Sequence, residues 1–309
     1  MSTTRKTKRP PRPLDITDLV PSFHIALKAA RRSPSTQRSY MSSIALYLSW
    51  CDDNHLPRQI DRAQVSRWMA ELLDGGIAAA TAAARLAGVR QLSKWLAEEG
   101  EIDADPLLRL NAPKGDMSIT PVLTEDELKA LIKACNGNRL RDRRDEAIVR
   151  LLAECGLRAS ELTALDLDDI DLARGLAYVR RGKGGKGRIV PFGPQTARAL
   201  DRYIRIRRTH PSAESTKALW LGARTRNALG THGMRATLSE RAEAAGIKGF
   251  HPHVLRHTFA SRWSAAGGSE GGLMSVAGWS DRTMLDRYGR ATASQRAADE
   301  ARTLNLGDV

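Results

Sequence analysis

From Thr36 the apolar residues Tyr40, Ile44, Tyr47, Leu48 and Cys51 recur every three or four positions, which is the spacing of one face of an α-helix. A second helix is predicted after Asp61, which with Gln64 reads as a capping box ahead of Val65, Trp68, Met69 and Leu72. A third runs from Ala78 through Leu86, Val89 and Leu92 to Leu96, and its alanine-rich opening favours helix and close packing against a neighbour. No strand pattern interrupts them, so residues 15–112 are expected to form a small helical domain. Asp105-Pro106 and then Asn111-Ala112-Pro113-Lys114-Gly115 bring turn formers, and periodicity lapses until Val122. Residues 113–120 are therefore read as a linker to a second domain, 121–309.

In that second domain Thr124 and Glu127 form another capping box before Leu128, Leu131 and Ile132. Ala147, Ile148, Leu151, Leu152 and Cys155 make a buried helical stripe that Gly156 terminates. Gly175 to Arg181 and Arg188 to Phe192 alternate as two short strands, with a glycine-rich hairpin tip, Gly182-Lys183-Gly184-Gly185-Lys186-Gly187, between them. Helical spacing returns with Ala197, Leu200, Ile204 and Arg207, and again from Thr231 to Ala245. Pro252 opens a further helix that puts His253 and Arg256, three residues apart, on one face. Ser280 reads as the N-cap of a short helix carrying Met284, Leu285 and finally Tyr288. The expected fold is mainly α, with one small antiparallel sheet in the second domain.

Charge narrows the function. Lysine and arginine number 49 against 35 acidic residues, a formal net charge of +14. An excess of that size in a chain of this length points to a polyanion and to salt-dependent binding. The basic, proline-rich start, residues 1–14, reads as a disordered arm, either laid along phosphates or simply solvated. The three cysteines are scattered and show no Cys-x-x-Cys spacing, so neither a disulfide framework nor a zinc site is expected, and a reducing cytoplasm fits. No stretch approaches a membrane-spanning run of apolar residues.

The chemistry-bearing candidates are few. In Gly156-Leu157-Arg158-Ala159-Ser160-Glu161-Leu162, Arg158 sits at a helix junction where Ser160 could cap the next helix. There Arg158 either offers a planar fork to a phosphate, with Glu161 pinning it from behind, or forms a structural pair with that acid. The Gly182 to Lys186 loop lacks the Gly-Lys-Ser/Thr ending of a nucleotide-binding loop and reads as a basic hairpin tip, either entering a groove or merely exposed. His253 and Arg256 together suit a phosphate.

Taken in order, Gly-Leu-Arg-Ala-Ser-Glu-Leu at 156–162, Gly-Lys-Gly-Gly-Lys at 182–186, His-Val-Leu-Arg-His at 253–257 and Gly-Trp-Ser-Asp ahead of Tyr288 resemble the tyrosine recombinases, also called the phage integrase family. The resemblance covers nearly the whole chain. It implies a SAM-like, core-type DNA-binding domain followed by a catalytic domain, the two forming a C-shaped clamp on DNA. It further implies a site-specific recombinase that integrates, excises or resolves DNA through a 3′-phosphotyrosine and a Holliday junction, without metal, ATP or any other cofactor.

Residue by residue, the resemblance implies Tyr288 as nucleophile, Arg158 and Arg256 as the phosphate clamp, Lys183 as the catalytic lysine, His253 as proton handler and Glu161 as the acid behind the clamp. Trp279 stands where many members carry histidine; indole donates one hydrogen bond and takes no proton, so orientation is what remains to it. Lys186, Arg181, Arg188 and His257, with Arg38, Arg85 and Arg90 in the first domain, are the expected DNA contacts, although spacing alone leaves Lys183 and Lys186 interchangeable. The partners implied are double-stranded attachment or core sites, further copies of the chain as a tetramer on paired sites, and an accessory directionality factor. The tail 291–309 docks either on a neighbouring copy or on its own domain. Two other functions use similar features: a type IB topoisomerase, which relaxes any plasmid as a monomer, and a non-catalytic DNA-binding protein, which forms no covalent product.

Overall fold

The apolar faces fold against one another in two separate units, Met1–Ser118 and Ile119–Val309. The computed structural model describes residues 14–113, 121–180, 187–223, 227–279, 281–282 and 285. In the first unit a 3₁₀ turn, Ile16–Leu19, leads into α1 (Val20–Ala29), α2 (Pro34–Asp53), α3 (Arg62–Asp74) and α4 (Ala79–Glu98). Ser33 starts α2 by accepting the Thr36 N–H at 3.2 Å, with Pro34 supplying the fixed φ of a first helical turn. Asp61 caps α3 by accepting the Gln64 N–H at 2.9 Å, but the Gln64 amide turns away to the Pro57 carbonyl, so the expected capping box is half formed.

Tyr47 and Trp68 meet edge to face at 5.2 Å in the centre of this unit, beside Phe23, Ile44, Leu86, Val89 and Leu92. Gly88 lets α4 approach α2 closely, since a Cβ there would stand 2.7 Å from that of Ser43. Helix α1 lies ahead of the predicted helices; its sequence signal is Pro21 at the start with Phe23 and Leu27 four residues apart.

The second unit is built around α6. Helix α5 (Glu125–Ala134) opens with both halves of the Thr124 and Glu127 box made, at 3.2 and 2.8 Å. Helix α6 (Leu140–Cys155) is buried on nearly every side from Arg144 to Cys155 and packs on its neighbours through Ala147, Ile148, Leu151 and Leu152. A five-residue helix, α7 (Ala159–Thr163), precedes a three-stranded antiparallel sheet in the order β1 (Ile170–Asp171), β2 (Leu176–Val179), β3 (Arg188–Pro191). The alternating runs predicted β2 and β3, in register from Leu176 opposite Pro191 to Val179 opposite Arg188. Strand β1 is two residues long, too short for any alternation to show.

Helices α8 (Pro194–Arg207), α9 (Thr231–Ala244), α10 (Pro252–Ala265) and α11 (Glu270–Ala277) complete the described unit. Helix α11 has no clear helical signal in the sequence, because Gly271 and Gly272 in its first turn are poor helix formers. It is held instead by the Ser269 cap and by Leu273 and Ala277 packed against Phe259 and Ala260 of α10. Of the helix expected after Ser280, only Asp281, Arg282 and a buried Leu285 lie among the described residues. Cys51, Cys135 and Cys155 are buried thiols, and no described helix is long and apolar enough to cross a membrane.

Candidate active site

The site grows out of two helix ends. Helix α6 stops at Gly156, whose φ of 58° is left-handed, and a Cβ there would lie 2.2 Å from Phe259 Cδ1, so only glycine makes the turn. Helix α11 stops in the same way at Gly278, with φ 64°. The last turn of a helix leaves carbonyl oxygens without intrahelical partners and gathers partial negative charge. At the end of α11 three successive carbonyls receive three different arginines. Val276 accepts from Arg188 Nε at 2.7 Å, Ala277 from Arg256 Nη2 at 2.7 Å, and Gly278 from Arg158 Nη2 at 2.8 Å. Arg256 also donates to the Gly156 carbonyl, which ties the α6 end to the same point.

Glu161 joins two of these arginines. Its carboxylate accepts from Arg158 Nη1 at 2.7 Å and from Arg188 Nη1 and Nη2 at 3.0 and 2.8 Å. It also accepts the Arg158 main-chain N–H at 2.8 Å, so Arg158, not Ser160, occupies the N-cap of α7 and the acid three residues on does the capping. Burial pushes the Glu161 carboxyl up, but the Arg188 hydrogen bonds, followed by the Arg158 N–H, the charge of Arg188 and the Arg158 side-chain hydrogen bond, outweigh it and hold the pKa at about 2. Glu161 is thus ionised throughout the physiological range. Its one negative charge is shared by Arg158 and Arg188, while the carbonyls at the end of α11 take further donors of the three arginines without adding charge.

His253 stands on the exposed side of α10, one turn before Arg256. Partial burial, then the charge of Arg256 and more weakly that of Arg158, lowers its pKa below the ordinary 6.5. The imidazole is therefore neutral near pH 7 and able both to give and to take a proton. Trp279, 7% exposed, lies with Phe259, Leu273, Ala277 and Leu285, and the Arg256 guanidinium sits 5.4 Å from its ring centroid. The indole is held by apolar packing on one side and by a cation on the other.

The fold thus brings together Arg158, Glu161, His253, Arg256 and Trp279. Two expected DNA contacts stand elsewhere than a surface reading would put them. Arg188 has a side chain only 10% exposed and directs Nε, Nη1 and Nη2 to Glu161 and Val276. His257 is 6% exposed, its ring centroid 4.6 Å from that of His253. Both fall on inward faces: Arg188 is two residues before the buried Val190 on β3, and His257 is one residue past Arg256 in a wholly buried run of α10. That alternation on β3 was the signal that Arg188 has an internal partner.

Arg38 on α2 is exposed and Arg85 and Arg90 on α4 are half-buried. Lys183, Arg181, Lys186 and Tyr288 lie outside the described residues. Among the described residues no group of three His, Cys, Asp or Glu side chains converges as metal ligands would.

Residues 121–295 match the phage integrase family model, and residues 20–100 match the phage integrase N-terminal SAM-like domain. The chain belongs to the phage integrase family. Tyrosine recombinase XerC of Chromobacterium violaceum is 33% identical over 263 residues, covering 85% of this chain and 86% of the relative. Among solved structures, XerA recombinase shares 27% identity at a TM-score of 0.50, covering 88% of this chain and 93% of that one. A lambda integrase tetramer bound to a Holliday junction shares the fold at a TM-score of 0.68 and 17% identity, over 90% of this chain and 78% of that one. This phage integrase family member is a tyrosine-type site-specific DNA recombinase, mainly helical with a small antiparallel sheet, as the motif order implied.

Proposed function

We propose that this recombinase cuts and rejoins DNA with Tyr288 as nucleophile, in a pocket whose phosphate clamp is Arg158 and Arg256. The observation that carries the reading is the convergence of Arg158, Arg188 and Arg256 on three successive carbonyls at the end of α11, where main-chain oxygens satisfy guanidinium donors without cancelling their charge. A phosphodiester is anionic and leaves poorly, so its attack needs charge neutralisation, alignment and a proton for the departing oxygen. The clamp supplies the first. The phenol, with an ordinary pKa of about 10, is a weak nucleophile until neighbouring cations favour its phenolate.

The Tyr288 oxygen attacks phosphorus, a bond to tyrosine forms, and the bond to the 5′ oxygen breaks. Lys183 on the hairpin gives that oxygen its proton, His253 handles the second proton, and Trp279 keeps the clamp in place. A free 5′-hydroxyl of another strand then attacks the phosphotyrosine and releases Tyr288, so the ester bond is conserved and no external energy enters. Lys186 and Arg181 beside the hairpin, and Arg38, Arg85 and Arg90 in the first unit, serve as DNA contacts.

Strand exchange requires two sites, and four copies on a paired site, as in the lambda integrase neighbour, supply one nucleophile per strand. The tail 291–309 docks on a neighbouring copy in that assembly, an accessory protein sets direction, and the reaction takes place in the cytoplasm.

Incubating the protein with sheared double-stranded DNA, separating covalent products under denaturing conditions and sequencing the attached strands tests this reading. Wild type is expected to yield adducts at one recurring sequence and Tyr288→Phe none. A Tyr288→Phe protein that still became joined to DNA, or relaxation of any plasmid without site pairing, would overturn it.

A further inference from the structure

We propose that Arg188 is a positioning residue of strand exchange, which fixes Arg158 and the end of α11 through Glu161 and the Val276 carbonyl; the catalytic part of this proposal rests on the function proposed above. Arg188 enters from β3, at the foot of the hairpin that carries Lys183, and reaches across to two other elements. Nη1 and Nη2 grip both oxygens of Glu161, while Nε holds Val276, 88 residues away in sequence. Glu161 is the acid that orients Arg158, and Val276 precedes by two residues the Gly278 carbonyl on which Arg158 rests. Arg158 thus has two supports, and Arg188 braces each of them.

Packing is tight around this brace. A Cβ on Gly278 would lie 2.9 Å from Arg188 Nη1, so the left-handed end of α11 and the guanidinium fit as one piece. A buried ion pair is a poor device for stability alone, since desolvating two ions offsets most of their attraction, and an apolar residue would join β3 to α11 at less cost. A rigid fork that meets a carboxylate on two sides and a carbonyl on a third is, however, a good device for holding geometry. Lysine, a point charge with a flexible stem, cannot make all three contacts from one place. A direct phosphate contact would need an open guanidinium, and this side chain is 10% exposed.

Arg188→Met and Arg188→Lys test the proposal in two arms. The first needs no DNA: in ¹⁵N NMR of the free protein, the Nη–H signals of Arg158, identified by their loss in Arg158→Lys, report its fixed guanidinium. They are expected to vanish or average in both Arg188 variants while the amide spectrum of the sheet persists. The second arm uses a nicked duplex carrying the sequence recovered by adduct capture. Single-turnover cleavage is expected to fall on the order of 100-fold, as an ångström-scale misplacement would cause, with DNA affinity within about twofold of wild type. In a Glu161→Gln background the Met replacement should then cost far less, because the brace has already lost its target.

Unchanged Arg158 signals overturn the proposal, as does a loss of DNA affinity matching the loss of cleavage, which would make Arg188 a docking residue. If Arg188→Met fails to fold, Arg188→Lys decides by the same two readouts. Should wild type form no adduct, the recombinase mechanism fails, and the NMR arm still decides whether Arg188 positions Arg158.

Discussion

Two gatherings of arginine in the second unit answer the same problem differently. At the start of α6, Arg141, Arg144 and Arg241 meet Asp142, Asp145 and Glu240, three guanidiniums against three carboxylates. Asp145, with 0% exposure, accepts from Arg144 at 3.0 and 2.7 Å and from Arg241 at 3.0 Å. At the end of the same helix Arg158 and Arg188 share Glu161, and Arg158, Arg188 and Arg256 also give donors to main-chain carbonyls. A carbonyl dipole satisfies an N–H but carries no net charge. In the first cluster the described guanidiniums are matched by carboxylates; in the second the described bonds to carbonyls leave guanidinium charge uncancelled, and in the function proposed above a DNA phosphate meets it.

One substitution in each cluster should therefore read out in different quantities. Asp145→Asn leaves buried guanidiniums without their counter-charge and is expected to lower folding stability by about 3–5 kcal/mol in urea denaturation. Arg158→Ala is expected to cost only about 1 kcal/mol of stability, because Glu161 keeps Arg188, yet to slow covalent adduct formation about 100- to 1000-fold with a smaller loss of DNA affinity. If Arg158→Ala unfolded the protein as Asp145→Asn does, the two clusters would be of one kind and the distinction would fail.

Gly156→Ala probes the joint between the two clusters, since α6 links them. Its left-handed φ and the collision with Phe259 predict a loss of about 2–3 kcal/mol, measured by thermal or urea unfolding. Because the Gly156 carbonyl also receives Arg256, adduct formation should fall further than stability alone accounts for. A variant with lowered stability and undiminished cleavage would show that this carbonyl does not align the clamp.

What the sequence disclosed follows the range of each interaction. The faces of α2, α4 and α6, the Thr124 box and the stop at Gly156 are local, repeating within a turn or ending on a residue type, and all were legible. The motif order carried the family because it names side chains. The carbonyl hub was not legible: Arg256 meets Gly156 across 100 residues and Arg158 meets Gly278 across 120, and a main-chain oxygen has no letter of its own. The internal partners of Arg188 were not legible for a related reason, since Glu161 and Val276 lie in other elements. In a basic hairpin motif every cation suggests DNA, and only the inward register of Arg188 on β3 signals partners inside the protein. Helix α11 was hidden by Gly271 and Gly272, whose poor propensity is overridden by packing that no local window contains.

The smallest effect separates the acid and the imidazole of the second cluster by pH. Glu161 has a folded-state pKa near 2 against an ordinary 4.5, a depressed value, so its contribution to stability is whole above pH 4.5 and is lost as pH falls toward 2. His253 is also depressed, below 6.5, so its smaller contribution is whole above pH 6.5 and begins to be lost as pH falls below that point. Acid should accordingly weaken the unit in two separate steps, which urea unfolding at a series of pH values resolves by difference. Subtracting the His253→Gln profile from that of wild type should leave the step that starts near pH 6.5, and subtracting Glu161→Gln should leave the one between 4.5 and 2. In Arg188→Gln the lower step should move up, because the hydrogen bonds that do most to depress the Glu161 pKa are gone, while the upper step stays where it was. A lower step that ignored Arg188 would mean that Arg158 alone holds the carboxylate, and the contrast between the two clusters would then rest on two arginines and the end of a helix.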